Sequence, residues 1–462
     1  MKNLLHREPG FYRRLWALAL PLVLQNLITT SLGFVDTFMV GRLGNEPMAA
    51  VTAANSPIFL VQVLIFGLIS GLTVLVSQYW GQGDVDAINR SMGIALYLGV
   101  FLSTAIALLL FFAPRTVLGL VTDNGTLVTL GAPYLRIVGF SYIFNSVSSV
   151  YVGMQRSAED SRFGLLVFTA SMCLNTGLNY VLIFGHFGAP ALGITGAAIA
   201  TLLSRVLEFG IVLVYALANR RVPLHFRSLF FPGTAMLQRF ITYSTPVVFN
   251  ESMWGLGTAV LTAIMGHMSI STEMLAAYAI MGNIDKFSTV ACFGLSGATA
   301  VFVGKRIGEG ADRDDVYRLS VCLLLVAVLV GFAISALLAI LLPTFFLPVL
   351  YPLFRLSETA TAIAVTMCVV YIFTMPMRSF DISNIIGVLR AGGDARVASA
   401  IDLSPLWLVA IPLTALTTLV WNAPIALICL SIQAENLCKL PLGLFRLRSR
   451  KWIRDVTAEV RA

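Results

Sequence analysis

The residues best suited to chemistry are acids and carboxamides set in long apolar runs. Asp36 has no basic residue within a helical turn, the nearest being Arg42. At ~100° per residue, Gln25, Thr29, Gly33 and Asp36 fall on one helical face, the pattern of a helix lining a polar cavity. An acid there can take up a proton or a metal cation and later release it. Asn175 and Asn179 stand one turn apart; carboxamide oxygens suit Na⁺ and also hydrogen-bond a carboxylate. Asn250 and Glu251 follow Pro246, whose missing amide hydrogen leaves a backbone carbonyl free and can kink a helix. Glu251 has no near basic neighbour in sequence, so it is a second candidate acid for an ion or a substrate. Asp36, Asn175 and Asn179 are therefore the candidate cation site, and Gln25, Thr29, Asn250 and Glu251 the candidate substrate contacts. Plainer roles stay open. Asp36 lies a turn and a half from Gly41, within reach of headgroups, and the asparagines could simply join packed helices.

Other chemistry is excluded. No Gly-x4-Gly-Lys-[Ser/Thr] loop occurs; the nearest approach, Gly304-Lys305-Arg306, lacks both the spacing and the hydroxyl, which disfavours ATP-driven pumping by this chain. There is no His-Glu-x-x-His, and His6, His186, His225 and His267 are the only histidines. The six cysteines lie in apolar runs without metal-ligand spacing and read as small hydrophobes. No catalytic residue, no cofactor and no metal beyond a Na⁺ at Asp36 is expected. Four close pairs, Arg205/Glu208, Asp285/Lys286, Arg378/Asp381 and Glu435/Lys439, are expected to neutralise one another within the chain.

The elements that must carry these residues are membrane helices. Of the 462 residues 58% are hydrophobic and 12% charged, and runs without charge reach or exceed the ~20 residues a span requires. The pattern predicts twelve spans, near 15–40, 48–79, 92–113, 131–155, 163–184, 195–217, 238–265, 275–304, 319–342, 359–389, 398–420 and 424–445. The net charge of +8 sits at span ends, which argues for a bilayer and against nucleic acid. With the N-terminus inside, twenty-three Lys and Arg fall in cytoplasmic segments and three, Arg42, Arg115 and Arg355, outside. Both termini are thus expected in the cytoplasm. The first apolar run continues past Met39 without a cleavage site and reads as a retained span.

The chain also repeats. Pro21, Gly41 and Phe66-Gly67-Leu68-Ile69-Ser70-Gly71 recur about 225 residues later as Pro246, Gly266 and Phe293-Gly294-Leu295-Ser296-Gly297. Gly153–Arg162 parallels Gly387–Arg396 at an offset of 234. Six spans per half imply equal orientation, with an axis along the membrane normal and a cavity that alternates its access. The expected organisation is an N-terminal lobe over 1–217, a cytoplasmic linker over 218–237, and a C-terminal lobe over 238–462 with a basic tail. At the offset of 225, Gln25 maps on Asn250 but Asp36 maps on Leu261, so ion handling is expected in the N-terminal lobe alone.

Taken together, several segments resemble the multidrug and toxic compound extrusion (MATE) family over almost the whole chain. They are Ala19-Leu20-Pro21, Gly33-Phe34-Val35-Asp36-Thr37, Met39-Val40-Gly41-Arg42-Leu43-Gly44, Ser77-Gln78-Tyr79-Trp80-Gly81-Gln82-Gly83, Leu174-Asn175 with Asn179-Tyr180 and Ile183-Phe184-Gly185, and Gly387-Val388-Leu389-Arg390-Ala391-Gly392-Gly393-Asp394. The resemblance implies an all-α polytopic membrane protein, twelve helices in two six-helix pseudo-symmetric lobes in a V-like arrangement. It also implies a monomer in a bacterial-type inner membrane that exports organic cations in exchange for Na⁺ or H⁺. The family's acid on the first helix falls on Asp36, its polar pair on helix 5 on Asn175 and Asn179, and its acid on helix 7 on Glu251. In one branch the second residue of that pair is aspartate. The helix 10 acid of Na⁺-type members falls on Ser379; Asp381 projects to another face, so no cation site is expected at helix 10. The alternatives are a lipid-linked oligosaccharide flippase of a related superfamily and an intramembrane enzyme.

Overall fold

The computed structural model describes residues 10–354 and 356–457. Lys2, Arg7, Arg355 and Arg461, which entered the count of flanking charges, lie outside the described residues. Among the described residues twelve helices are long and apolar enough to cross a membrane. They are α1 (Phe11–Gly41), α2 (Asn45–Gln82), α3 (Val85–Phe112), α4 (Gly125–Ser157), α5 (Ser161–Phe184), α6 (Gly193–Ala218), α7 (Thr234–Gly266), α8 (Ser271–Gly308), α9 (Arg313–Leu353), α10 (Glu358–Arg390), α11 (Ala395–Val420) and α12 (Ile425–Ser449). Each predicted span has its helix. The repeat shows in length: α2 and α8 both run 38 residues, about 57 Å at 1.5 Å per residue, well past a ~30 Å hydrocarbon core.

Local signals set the ends. The side chains of Asp84 and Ser357 accept the Ala87 and Ala360 amides at 2.9 and 3.2 Å, starting α3 and α10. Gly83 and Gly185 close α2 and α5 in the left-handed conformation, at φ 74° and 77°. Prolines lie inside α1, α7 and α10 at Pro21, Pro246 and Pro376. Beyond Pro376, α10 widens into π-helix over Ser383–Arg390.

The chain forms two compact units, one of Leu24–Val248 and one of Met1–Val23 with Phe249–Ala462. Both boundaries fall two residues after the repeat prolines, inside α1 and α7. In the first unit Gly67 of α2 admits α7: a Cβ there would lie 2.2 Å from Val248 Cγ2. In the second, Gly294 of α8 admits α1, where a Cβ would lie 2.7 Å from the Val23 backbone nitrogen. The four residues occupy matching positions of the repeat. Without an aqueous hydrophobic drive between helices, such close approaches supply the van der Waals contact that holds a bilayer bundle. In the second unit Leu15, Leu18 and Leu22 pack with Leu295, Val301 and Leu323. The linker docks in the first unit, where Asn89 donates to Pro223 O at 3.0 Å and Ser228 to Asp86 at 2.7 Å.

Candidate functional site

In the first unit, the α1 acid and the α5 carboxamides meet. Asn179 Nδ2 donates to Asp36 Oδ1 at 2.5 Å and to Asn175 Oδ1 at 3.0 Å. Both asparagines are buried, and Asn179 Oδ1 accepts no hydrogen bond. They extend a polar stripe at four-residue spacing that begins at Ser171, also buried and unpartnered at Oγ. Sequence reasoning passed over Ser171, although the 171/175/179 spacing marks it. Nearby on α6, Arg205 pairs with Glu208 at 2.6 Å, as the sequence suggested, and its charge also acts on Asp36. Chemically the group offers a carboxylate, two amide oxygens and a cation held off by its own partner.

Gln25 and Thr29 do not join Asp36. Gln25 is eleven residues away, about 16 Å along a helix, and packs against Gly164 of α5, where a Cβ would lie 2.8 Å from Gln25 Oε1. Thr29 donates back to its own helix, at the carbonyls of Gln25 and Asn26. Helical periodicity placed these residues on one face, but Gln25 meets α5 at Gly164 and Asp36 meets it at Asn179.

The second unit gathers Asn250 and Glu251 of α7 into a larger polar network. Arg390 Nη1 and Nη2 both donate to Glu251 Oε1 at 3.1 Å. Asn250 Nδ2 donates to Asp402 Oδ2 at 2.8 Å. Asp402 pairs in turn with Lys439 at 2.8 Å, and Lys439 with Glu435 at 3.0 Å. Glu251 thus has a basic partner that distance along the sequence concealed. Asp402 and Arg390 were not foreseen as site residues; a lone acid seven residues into the apolar helix α11 was the available signal.

Two expected pairings are replaced. Arg378 binds Asp285 at 3.0 Å, and Tyr371 donates to Asp285 at 2.6 Å. Neither Lys286 next to Asp285 nor Asp381 three residues after Arg378 is the partner, because the facing helix offers better geometry than neighbours on the same helix. Asp381, 4% exposed, has no hydrogen bond at Oδ2 and lines one cavity of about 110 Å³ with Glu251, Arg390, Asp402, Glu435 and Lys439. Ser379 does face elsewhere, donating to Ala327 O at 2.6 Å. Asp381, on the other face of helix 10 from Ser379, lines the same cavity as Glu251. Four carboxylates, Glu251, Asp381, Asp402 and Glu435, line this cavity with three bases, Arg378, Arg390 and Lys439.

A family model described as MatE matches residues 21–181 and 246–416, two segments that begin at the two repeat prolines. The chain belongs to the MatE family. A Bacillus subtilis relative, "Uncharacterized transporter YisQ", is 26% identical over 95% of this chain and 94% of its own length. A Thermotoga maritima relative, "Probable multidrug resistance protein NorM", is 27% identical over 67% of this chain and 66% of its own. Among solved structures, an outward-facing multidrug resistance MATE family transporter of the MOP superfamily aligns with TM-score 0.86 and 18% identity, covering 100% of this chain and 98% of the other. A MOP superfamily transporter from Pyrococcus furiosus, whose description reports a binding pocket of reversed polarity, aligns with TM-score 0.85 and 19% identity over 97% of each chain. This MatE protein is therefore a multi-pass membrane transporter with the MATE fold of twelve helices. Its Asp36, Asn175, Asn179, Glu251, Arg390 and Asp402 fall in the matched segments; Lys439 and the residues after α12 do not.

Proposed function

We propose that this MatE protein is a secondary antiporter that exports amphipathic organic cations in exchange for Na⁺ or H⁺ by alternating access. The observation that carries the reading is the contact of Asp36 with the Asn179–Asn175 pair. A carboxylate beside amide oxygens binds a monovalent cation through oxygen atoms alone. Protonation instead turns Asp36 from an acceptor into a donor, which Asn179 meets by turning its free Oδ1 toward it. Either ion neutralises the acid and changes the partner that α1 prefers on α5. An ion that favours one arrangement shifts the population toward it, and by linkage weakens a cation bound to the other.

The partly exposed Glu251 carboxylate suits a cationic substrate, and Trp254 and Phe293 of the same cavity suit its apolar part. The bases of that cavity are engaged by carboxylates, which speaks against the anionic pyrophosphate of a lipid-linked oligosaccharide. The protein acts as a monomer, with both termini in the cytoplasm of a bacterial-type inner membrane. Counterflow of ethidium in proteoliposomes, with Na⁺ and pH gradients imposed separately, tests the proposal. Uptake driven by one gradient supports it; uptake indifferent to both removes ion coupling.

A further inference from the structure

We infer that the segment after α12, residues 450–457, is a clamp that sets the position of Arg390 and through it Glu251. The segment lies outside the residues matched by the family model. It folds back on the turn that ends α10: Arg454 N donates to Gly392 O at 2.9 Å. The Trp452 ring packs against Gly392, so close that a Cβ there would stand 2.3 Å from Trp452 Cε3. Gly393, at φ +84°, receives Val456, whose Cγ1 would be 2.8 Å from an added Cβ. Asp394, 1% exposed, pairs with Arg446 at 2.6 Å and with Arg454 at 3.1 Å.

Trp452 is wholly buried and belongs to the core cluster that holds Ile385, Val388 and Leu389, the residues leading to Arg390. Its indole nitrogen donates to Leu447 O at 3.1 Å, anchoring the ring on α12. The turn is thus gripped by backbone, ring and ion pair two to four residues beyond Arg390. The last π-helical turn carries that constraint to the guanidinium, since Gly393 N bonds Arg390 O at 3.0 Å and Asp394 N bonds Leu389 O at 3.0 Å. Arg390 in turn makes both 3.1 Å bonds to Glu251. A displacement of an ångström at the turn takes such bonds out of range. A tail needed only for cytoplasmic bulk has no use for a buried tryptophan on paired glycines. The proposal rests on the substrate reading of Glu251 only for its effect on transport; its structural part stands alone.

Two measurements on the full-length protein test it. Hydrogen exchange by mass spectrometry compares Trp452→Ala with the parent in peptides covering 385–394, 246–254 and, as a control, 171–184. Faster exchange in the first two and not the third is expected, with Trp452→Phe near the parent; loosening confined to 385–394 overturns the clamp. Ethidium affinity is measured in parallel. Trp452→Ala should weaken it about fivefold in the parent and leave it unchanged in a Glu251→Gln background, the non-additivity of residues acting through one contact. Equal weakening in both backgrounds overturns the route through Arg390. Should Glu251→Gln itself leave affinity unchanged, the substrate reading fails while the exchange result still decides the clamp. If Trp452→Ala does not insert, Val456→Ala carries the test with a smaller change of the same pattern.

Discussion

Asn179 Nδ2 reaches Asp36 Oδ1 at 2.5 Å while also holding Asn175 Oδ1, so one amide ties the α1 acid to the α5 stripe. The link is a single donor group. Under the proposed exchange of a cation for an ion, the ion that takes over Asp36 must break this link or turn it around.

Replacing Asp36 with Asn keeps the shape and deletes the charge. We expect Asp36→Asn to insert normally and to lose gradient-driven exchange by at least about a hundredfold, the scale of a lost essential group. The repeat counterpart Leu261 is 4% exposed and packs with Leu406 and Ala410. Leu261→Asn therefore lowers stability, by about 1–3 kcal/mol for a buried amide, yet leaves the coupling ratio unchanged. Transport in inverted vesicles, normalised to protein in the membrane, separates the two; parent-rate uptake by Asp36→Asn would end the N-terminal mechanism.

The Glu251–Arg390 pair is asymmetric. Arg390 is almost wholly enclosed and Glu251 retains some exposure. Arg390→Met takes from Glu251 the basic partner it holds at 3.1 Å, while Asp402 keeps Lys439, and should cost about 3 kcal/mol, as for a broken buried pair. Glu251→Gln is milder in stability, because Asp402 still attends Arg390 at 3.8 Å, but it impairs export of cations. The double variant should recover part of the thermal stability lost by Arg390→Met. Thermal unfolding in detergent with resistance assays reads both effects.

The two helix crossings differ in what blocks a side chain. At Gly67 only a methyl of Val248 would come within 3 Å of an added Cβ, whereas at Gly294 a methyl of Val23 at 2.5 Å is backed by the Val23 backbone nitrogen at 2.7 Å. Gly67→Ala and Gly294→Ala should each lose about 1–3 kcal/mol from overpacking. Adding Val248→Ala restores part of the first loss, and Val23→Ala does not restore the second. Equal rescue in both would show that the backbone at Gly294 yields.

Topology is open to direct labelling. Reporter tags at both termini should give cytoplasmic signals, and single cysteines placed at 185–193 or 421–423 should react with impermeant thiol reagents from outside. A reversed pattern at either loop would overturn the orientation drawn from the Lys and Arg distribution.

Sequence alone determined the twelve spans, because a helix in lipid must satisfy its backbone internally and advertises itself by apolar length. It also determined the repeat, since Pro21 and Pro246 hold one position in each half; rarity in apolar helices singled out Asp36, Asn175 and Asn179, and the resemblance to the MATE family joined them. Tertiary structure alone decided the partners. Arg390 to Glu251 spans 139 residues and Arg378 to Asp285 spans 93. Periodicity describes one helix at a time, and it cannot say which depth of a neighbour a side chain meets. That is why Gln25 parts from Asp36, why Arg378 passes over Asp381, and why the turn at Gly392 waits for a tryptophan sixty residues further along the chain.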